Sequence, residues 1–148
     1  MNEAPYGTIL LDALAGPDEQ FDVSFLERNE HPVIVCHGPA ADTMCPLLAE
    51  GACAKYRAAH GIVFELDLDR AQHRAILARY RELNADVPIR VVVRSDQAER
   101  YRDLISGVQV WTRTPNVADL DGFAAEVEAA DRYATAVQTD DDGPRLPR

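Results

Sequence analysis

From Gly61 to Tyr133 the chain reads GIVFELDLDRAQHRAILARYRELNADVPIRVVVRSDQAERYRDLISGVQVWTRTPNVADLDGFAAEVEAADRY, and the alternation within this stretch decides the fold class. Three short β-branched runs stand in it: Ile62 to Leu66 (IVFEL), Ile89 to Val93 (IRVVV) and Val108 to Thr112 (VQVWT). Each is followed by a segment of helical spacing. A strand covered on both faces must be apolar at nearly every position, whereas a helix lying on a sheet needs an apolar residue only every third or fourth position. The pattern therefore predicts a parallel sheet with helices on both sides.

After the first run, Asp69 with Gln72 three residues on has capping-box spacing, and Ile76, Tyr80 and Leu83 share a face, predicting a helix over Arg70 to Leu83. After the second, Ser95 is the expected cap of a helix carrying Ala98, Tyr101 and Ile105 and ending near Gly107. Beyond the third, Asn116 is placed to cap a long helix whose stripe is Val117, Leu120, Ala124, Val127 and Ala134.

Toward the N-terminus, Pro32 to Cys36 (PVIVC) is a fourth apolar run and reads as an interior strand. Gly7 to Leu14 (GTILLDAL) is expected to be an edge strand, with a short helix as the alternative, and Asp22 to Asn29 (DVSFLERN) to be weakly helical. From Gln138 the chain has three successive aspartates and then GPRLPR, with neither periodicity nor apolar mass. That composition predicts a disordered tail over 138–148 behind a single domain over 1–137.

Composition narrows the function classes. A chain of 148 residues that is 47% hydrophobic can bury the core of one domain without staples. No run approaches the roughly 18 to 20 apolar residues that span a bilayer, and the start lacks a basic n-region, so a cytoplasmic location is expected. A formal charge of −10 repels nucleic-acid phosphates and anionic lipid, which leaves a protein partner, a second copy of the chain among them, or a small molecule. Three cysteines, an odd number, argue against a disulfide scaffold.

The Gly61 to Tyr133 string resembles the back half of a response-regulator receiver domain. The order matches: a strand ending in Asp, an amphipathic helix, a Pro-led strand (PIRVVV), a helix ending at Gly, a short strand, Thr-Pro and a final helix. The resemblance implies a flavodoxin-like three-layer α/β/α sandwich of four to five mostly parallel strands, and a role in signal transduction. Receivers carry an acidic pair after the first strand, a phosphoacceptor Asp after the third, a hydroxyl after the fourth and a Lys before Pro after the fifth. By position, Asp67 matches the phosphoacceptor with Asp69 as the alternative, and Ser95 the hydroxyl. The Lys-Pro site is Thr114-Pro115, with Arg113 one residue early. With PVIVC taken as the first strand, the acidic pair becomes Cys36-His37, which cannot hold Mg²⁺ as carboxylates do. Only 25 residues separate that strand from the next, so one strand-helix unit is either missing or supplied by the N-terminal segment. The resemblance thus implies a degenerate pseudo-receiver.

Cys36, His37, Cys45 and Cys53 fall together in CHGPAADTMCPLLAEGAC, with Cys45 preceding Pro46 at an expected helix start, where the helix dipole would favour a thiolate. Three chemistries suit these residues: a thiol switch, a metal or iron-sulfur site with His37 as a further ligand, or a nucleophilic Cys36 served by His37. The spacings of eight and seven intervening residues match no zinc or ferredoxin signature, and small apolar fillers under a loop explain the cysteines equally well. His60 and His73 read as surface residues. Trp111, Phe123 and Tyr133, on the last strand and helix, mark the expected interaction face. The sequence as a whole points to a non-enzymatic signalling or protein-interaction module without a cofactor. A cysteine-based redox or metal sensor and a small Cys/His enzyme stand as alternatives.

Overall fold

The computed structural model describes residues 7–39, 45–83 and 86–142, with side chains as far as Tyr133. Strand β1 (Ile9–Ala13) leads into α1 (Pro17–Arg28), β2 (Val33–Cys36) and two single-turn helices, α2 (Pro46–Glu50) and α3 (Ala54–Ala58). Then come β3 (Gly61–Glu65), α4 (Ala71–Leu83), β4 (Ile89–Val92), α5 (Ser95–Arg100), β5 (Gln109–Trp111) and α6 (Val117–Asp142). The sheet is wholly parallel in the order β2-β1-β3-β4-β5, the flavodoxin-like winding.

The predicted roles of the two N-terminal strands are exchanged. GTILLDAL is not an edge: β1 lies between β2 and β3, and all five of its residues are buried. PVIVC is the edge, and all four residues of β2 are only half-buried. Both runs are apolar, so local pattern does not rank them; the ranking comes from which strand pairs on both sides, a non-local property. Lys55 blunts the outer edge of β2 by donating from Nζ to the Val35 carbonyl at 2.7 Å. The strand-helix unit that seemed absent after PVIVC is thus β1 and α1, supplied by the N-terminal segment.

Successive residues of a strand point to opposite faces, so the sheet feeds two cores. Ile9, Leu11, Ala13 and Val63 meet Leu26 of α1 and Leu120, Phe123, Ala124 and Val127 of α6. Leu10, Ile62, Phe64 and Val91 meet Leu47 of α2 and Ile76, Leu77 and Tyr80 of α4. Gly61 is required where α6 crosses the start of β3, because a Cβ there would lie 2.3 Å from Val127 Cγ2.

The helix starts depart from expectation in two places. Asp69 does not cap α4; its N–H donates to Asp67 Oδ1 at 3.0 Å, and the first helical bond runs from Arg74 N to Arg70 O. Ser95 is a helical residue and not a cap, since Gln97 Oε1 accepts from the Arg94 N–H at 3.2 Å one residue earlier. Nor does α5 run on to Gly107: Tyr101 leaves helical backbone (φ −111°, ψ 27°), and turns carry the chain to Gly107. At α6 the expectation holds, for Asn116 and Asp119 exchange side-chain-to-backbone bonds of 2.9 and 3.0 Å. This helix runs to Asp142, through the first part of the segment read as a tail, and 143–148 lie outside the described residues.

Candidate functional site at the carboxyl ends of the strands

Open parallel sheets leave a crevice beyond the carboxyl ends of their strands. Here β3, β4 and β5 open onto a cavity of about 440 Å³ whose walls include Glu65, Asp67, Arg94, Gln97, Arg113 and Thr114. Of the residues the sequence nominated, Asp67, Arg113 and Thr114 come together in it. Asp69 stands at its margin, while Ser95 is exposed and is not among its walls.

Asp67, Asp69 and Arg113 already have protein partners. Asp67 Oδ1 accepts from Gln97 Nε2 at 2.9 Å as well as from the Asp69 N–H. Asp69 takes the Tyr101 hydroxyl at 2.8 Å, Arg94 Nη2 at 2.9 Å and Arg100 Nη1 at 2.7 Å. These donors, Tyr101 first and then Arg94, hold its carboxyl down to about 2. Arg113 is paired with Asp119, with Nη2 3.2 Å from Oδ1. Gln97 is buried and joins the β3–α4 loop to α5; the polar string SDQAER that contains it shows no sign of this. His73, expected at the surface, is buried: its Nδ1 accepts from the Asp67 N–H at 3.0 Å, and burial lowers its pKa.

Two acidic groups escaped the sequence reading. Glu65 ends β3, opposite Ala13, and turns toward α1, where Asp22 is wholly buried. Burial raises both carboxyls; the carboxyl of Asp22 raises Glu65 further, and Asp18 and Glu19 add to the repulsion. Two facing carboxyls can share one proton, and neither Asp22 oxygen has another partner. The second group is Asp12, one residue back on β1 and on the opposite face, where it is 1% exposed. Its neighbours are Cys36 across the β1–β2 pairing, Tyr80 of α4 and Lys55 of α3. The hydroxyl, the thiol and the ammonium favour the anion, yet no donor reaches either oxygen in hydrogen-bond geometry. Burial prevails and pushes the carboxyl up to about 7. An isolated Asp within an apolar run reads as a strand end, which is why it carried no signal.

These positions correct the assignment of Cys36 and His37 to the receiver's acidic pair. Because PVIVC is β2, the residues at the end of the first strand are Asp12 and Ala13. The Cys/His enzyme fails on the same geometry. Cys36 is still within β2, so its successor leaves on the other side, and His37 Nε2 sits 3.2 Å from Glu19 Oε1 of α1. Burial also pushes the Cys36 thiol up, away from a nucleophilic thiolate. Cys36, Cys45 and Cys53 do share one cavity, of about 600 Å³, between β2 and the pair α2 and α3, but His37 is not in it. Among the described residues no group of three or more His, Cys, Asp or Glu side chains is arranged to hold a metal ion.

The interaction face predicted from Trp111, Phe123 and Tyr133 is also corrected. Phe123 is 2% exposed, and Trp111 packs edge-on against it with ring centroids 6.3 Å apart. Of the three only Tyr133 is exposed. Leu120, Ala124 and Val127 of the α6 stripe face the sheet while Val117 is exposed, and Phe123 lies in the core there with Trp111 packed against it.

No protein-family model matches the sequence, and no curated protein matches it either. Solved structures share the fold. An adenylate cyclase from Rhodopirellula baltica aligns with a TM-score of 0.60 at 10% identity, over 95% of this chain and 100% of that one. The receiver domain of a sensor histidine kinase from Pseudomonas aeruginosa, with a magnesium ion coordinated in its active-site cleft, gives 0.57 at 14% identity over 82% and 97%. A response regulator from Burkholderia multivorans gives 0.56 at 19% identity over 83% and 95%. What they have in common with this chain is the architecture of receiver domains, and the likeness runs through the N-terminal segment as well as the back half. Among the described residues, no helix is long and apolar enough to cross a membrane.

Proposed function

We propose that this chain is a non-enzymatic signalling module of the cytoplasm that acts through a protein partner, a second copy being one candidate, and that aspartyl phosphorylation does not drive it. The observation that carries the proposal is the state of the acids at the carboxyl ends of the strands. Phosphoryl transfer to a carboxylate needs an ionised, accessible oxygen and a divalent cation on adjacent carboxylates to take up the developing charge. Here Glu65 faces Asp22, Asp67 is engaged by Gln97, and Asp69 is surrounded by Arg94, Arg100 and Tyr101. The Pseudomonas domain coordinates magnesium in its cleft; in this chain Ala13 stands beside Glu65 and Thr114 occupies the place of a lysine.

Trp111 is the only tryptophan of the chain and ends β5, one residue before Thr112 in the cavity wall, so its fluorescence reports on movement of that wall. Beryllofluoride, a phosphoryl mimic, added with Mg²⁺ is expected to leave that fluorescence unchanged, and acetyl phosphate is expected to leave the intact mass unchanged. A saturable, Mg²⁺-dependent response in either would overturn the proposal.

A further inference from the structure

The cavity beside β2 lies apart from the acids just described and plays no part in the proposed function. Its volume, about 600 Å³, is within the range of small-ligand sites, and its surface is mostly apolar. The thiols of Cys36, Cys45 and Cys53 supply soft, polarisable walls, with Pro39 and Pro46 between them.

Charge at its mouth supplies the polarity. Among the described residues, Lys55 and Arg57 stand there against Glu50 alone. The Lys55 ammonium is fixed in place by its bond to the Val35 carbonyl, whereas the Arg57 guanidinium has no hydrogen bond or ion pair among the described residues. In a chain of formal charge −10, a local excess of cations around an apolar hole is selective, because the rest of the surface turns anions away. A guanidinium without a partner also offers the planar two-donor edge that fits a carboxylate.

A cation is disfavoured at this mouth, and a fully polar anion would leave the thiol and proline walls unused. We infer that this cavity binds a small amphipathic carboxylate, with its apolar part among the three cysteines and its carboxylate on Arg57.

The chain's three cysteines all line this cavity, so alkylation by neutral iodoacetamide reads the cavity without background. Octanoate serves as the probe. It is expected to slow alkylation of all three thiols severalfold and saturably, and octanamide, which lacks the charge, to protect at least about tenfold less well. Arg57→Gln, on an exposed side chain, should weaken protection by octanoate about tenfold without altering the circular dichroism. Ala54→Trp, which fills the mouth, should slow alkylation by itself and remove any further effect of octanoate. No protection at millimolar octanoate overturns the site. Equal protection by octanamide, or an Arg57→Gln variant that behaves as the parent, overturns the assignment of a carboxylate.

Discussion

Asp69 and Asp12 lie toward the same end of one sheet and have opposite fates. Asp69, beyond β3, gathers one hydroxyl and two guanidinium groups and remains an anion down to about pH 2. Asp12, inside β1, lies in a core of leucine, isoleucine and tyrosine and keeps its proton up to about pH 7. The contrast teaches that a carboxylate's role here is set by the donors around it and by water, not by its distance from a strand end. It also separates an electrostatically closed cluster, around Asp69 at the β3–α4 loop and α5, from a side with unsatisfied polar groups, at β1, β2 and α3. The buried Tyr56 hydroxyl, whose ring stacks on Tyr80 at 5.2 Å, belongs to the second side and lacks a partner too.

The largest test of this contrast is Asp12→Asn, which keeps the shape and removes the titration. Below pH 3.8 the folded and unfolded chains both hold the proton, and the carboxyl takes nothing from stability. As pH rises toward 7 the unfolded chain ionises first and stability falls; above 7 the folded chain ionises as well and the loss is complete. The loss is up to about 4 kcal/mol, so Asp12→Asn should stabilise the protein substantially at pH 8 and hardly at pH 4. Urea unfolding at the two pH values measures this, and an equal effect at both would show that Asp12 is not held protonated by the fold.

Glu65→Gln comes next. It removes one of two facing carboxyls, both of which are raised, so the gain again appears as pH rises above the ordinary carboxylate range. Glu65 is only partly buried, and a gain of about 1 to 2 kcal/mol at pH 8 is expected from urea unfolding. If Asp22→Asn adds its full effect on top, the two groups do not share a proton.

Asp69→Asn should have the smallest effect and the opposite sign. Its carboxyl is held low, so its contribution is present above pH 3.8 and disappears as pH falls toward 2. The group is exposed and its partners are screened by salt, so a modest drop in the thermal midpoint at pH 7 is expected, most of it absent at high ionic strength. A large drop that salt does not alter would mean that the network is a buried structural core and not a surface lock.

The sequence by itself determined the class of architecture. Strands β3 to β5 and helices α4 and α6 follow from periodicities within a dozen or so residues, and a local pattern is enough for an element whose burial repeats along its own length. It also brought together Asp67, Arg113 and Thr114 at one end of the sheet and grouped three cysteines on one loop segment. Tertiary structure alone decided that GTILLDAL is inner and PVIVC outer, because strand order depends on pairing between distant segments. Through that order it moved the first-strand acid from Cys36-His37 to Asp12, turned Trp111 and Phe123 inward, and set Glu65 against Asp22. It also divided the acids into paired and orphaned, since a carboxyl's charge state depends on groups that are neighbours in space and strangers in sequence.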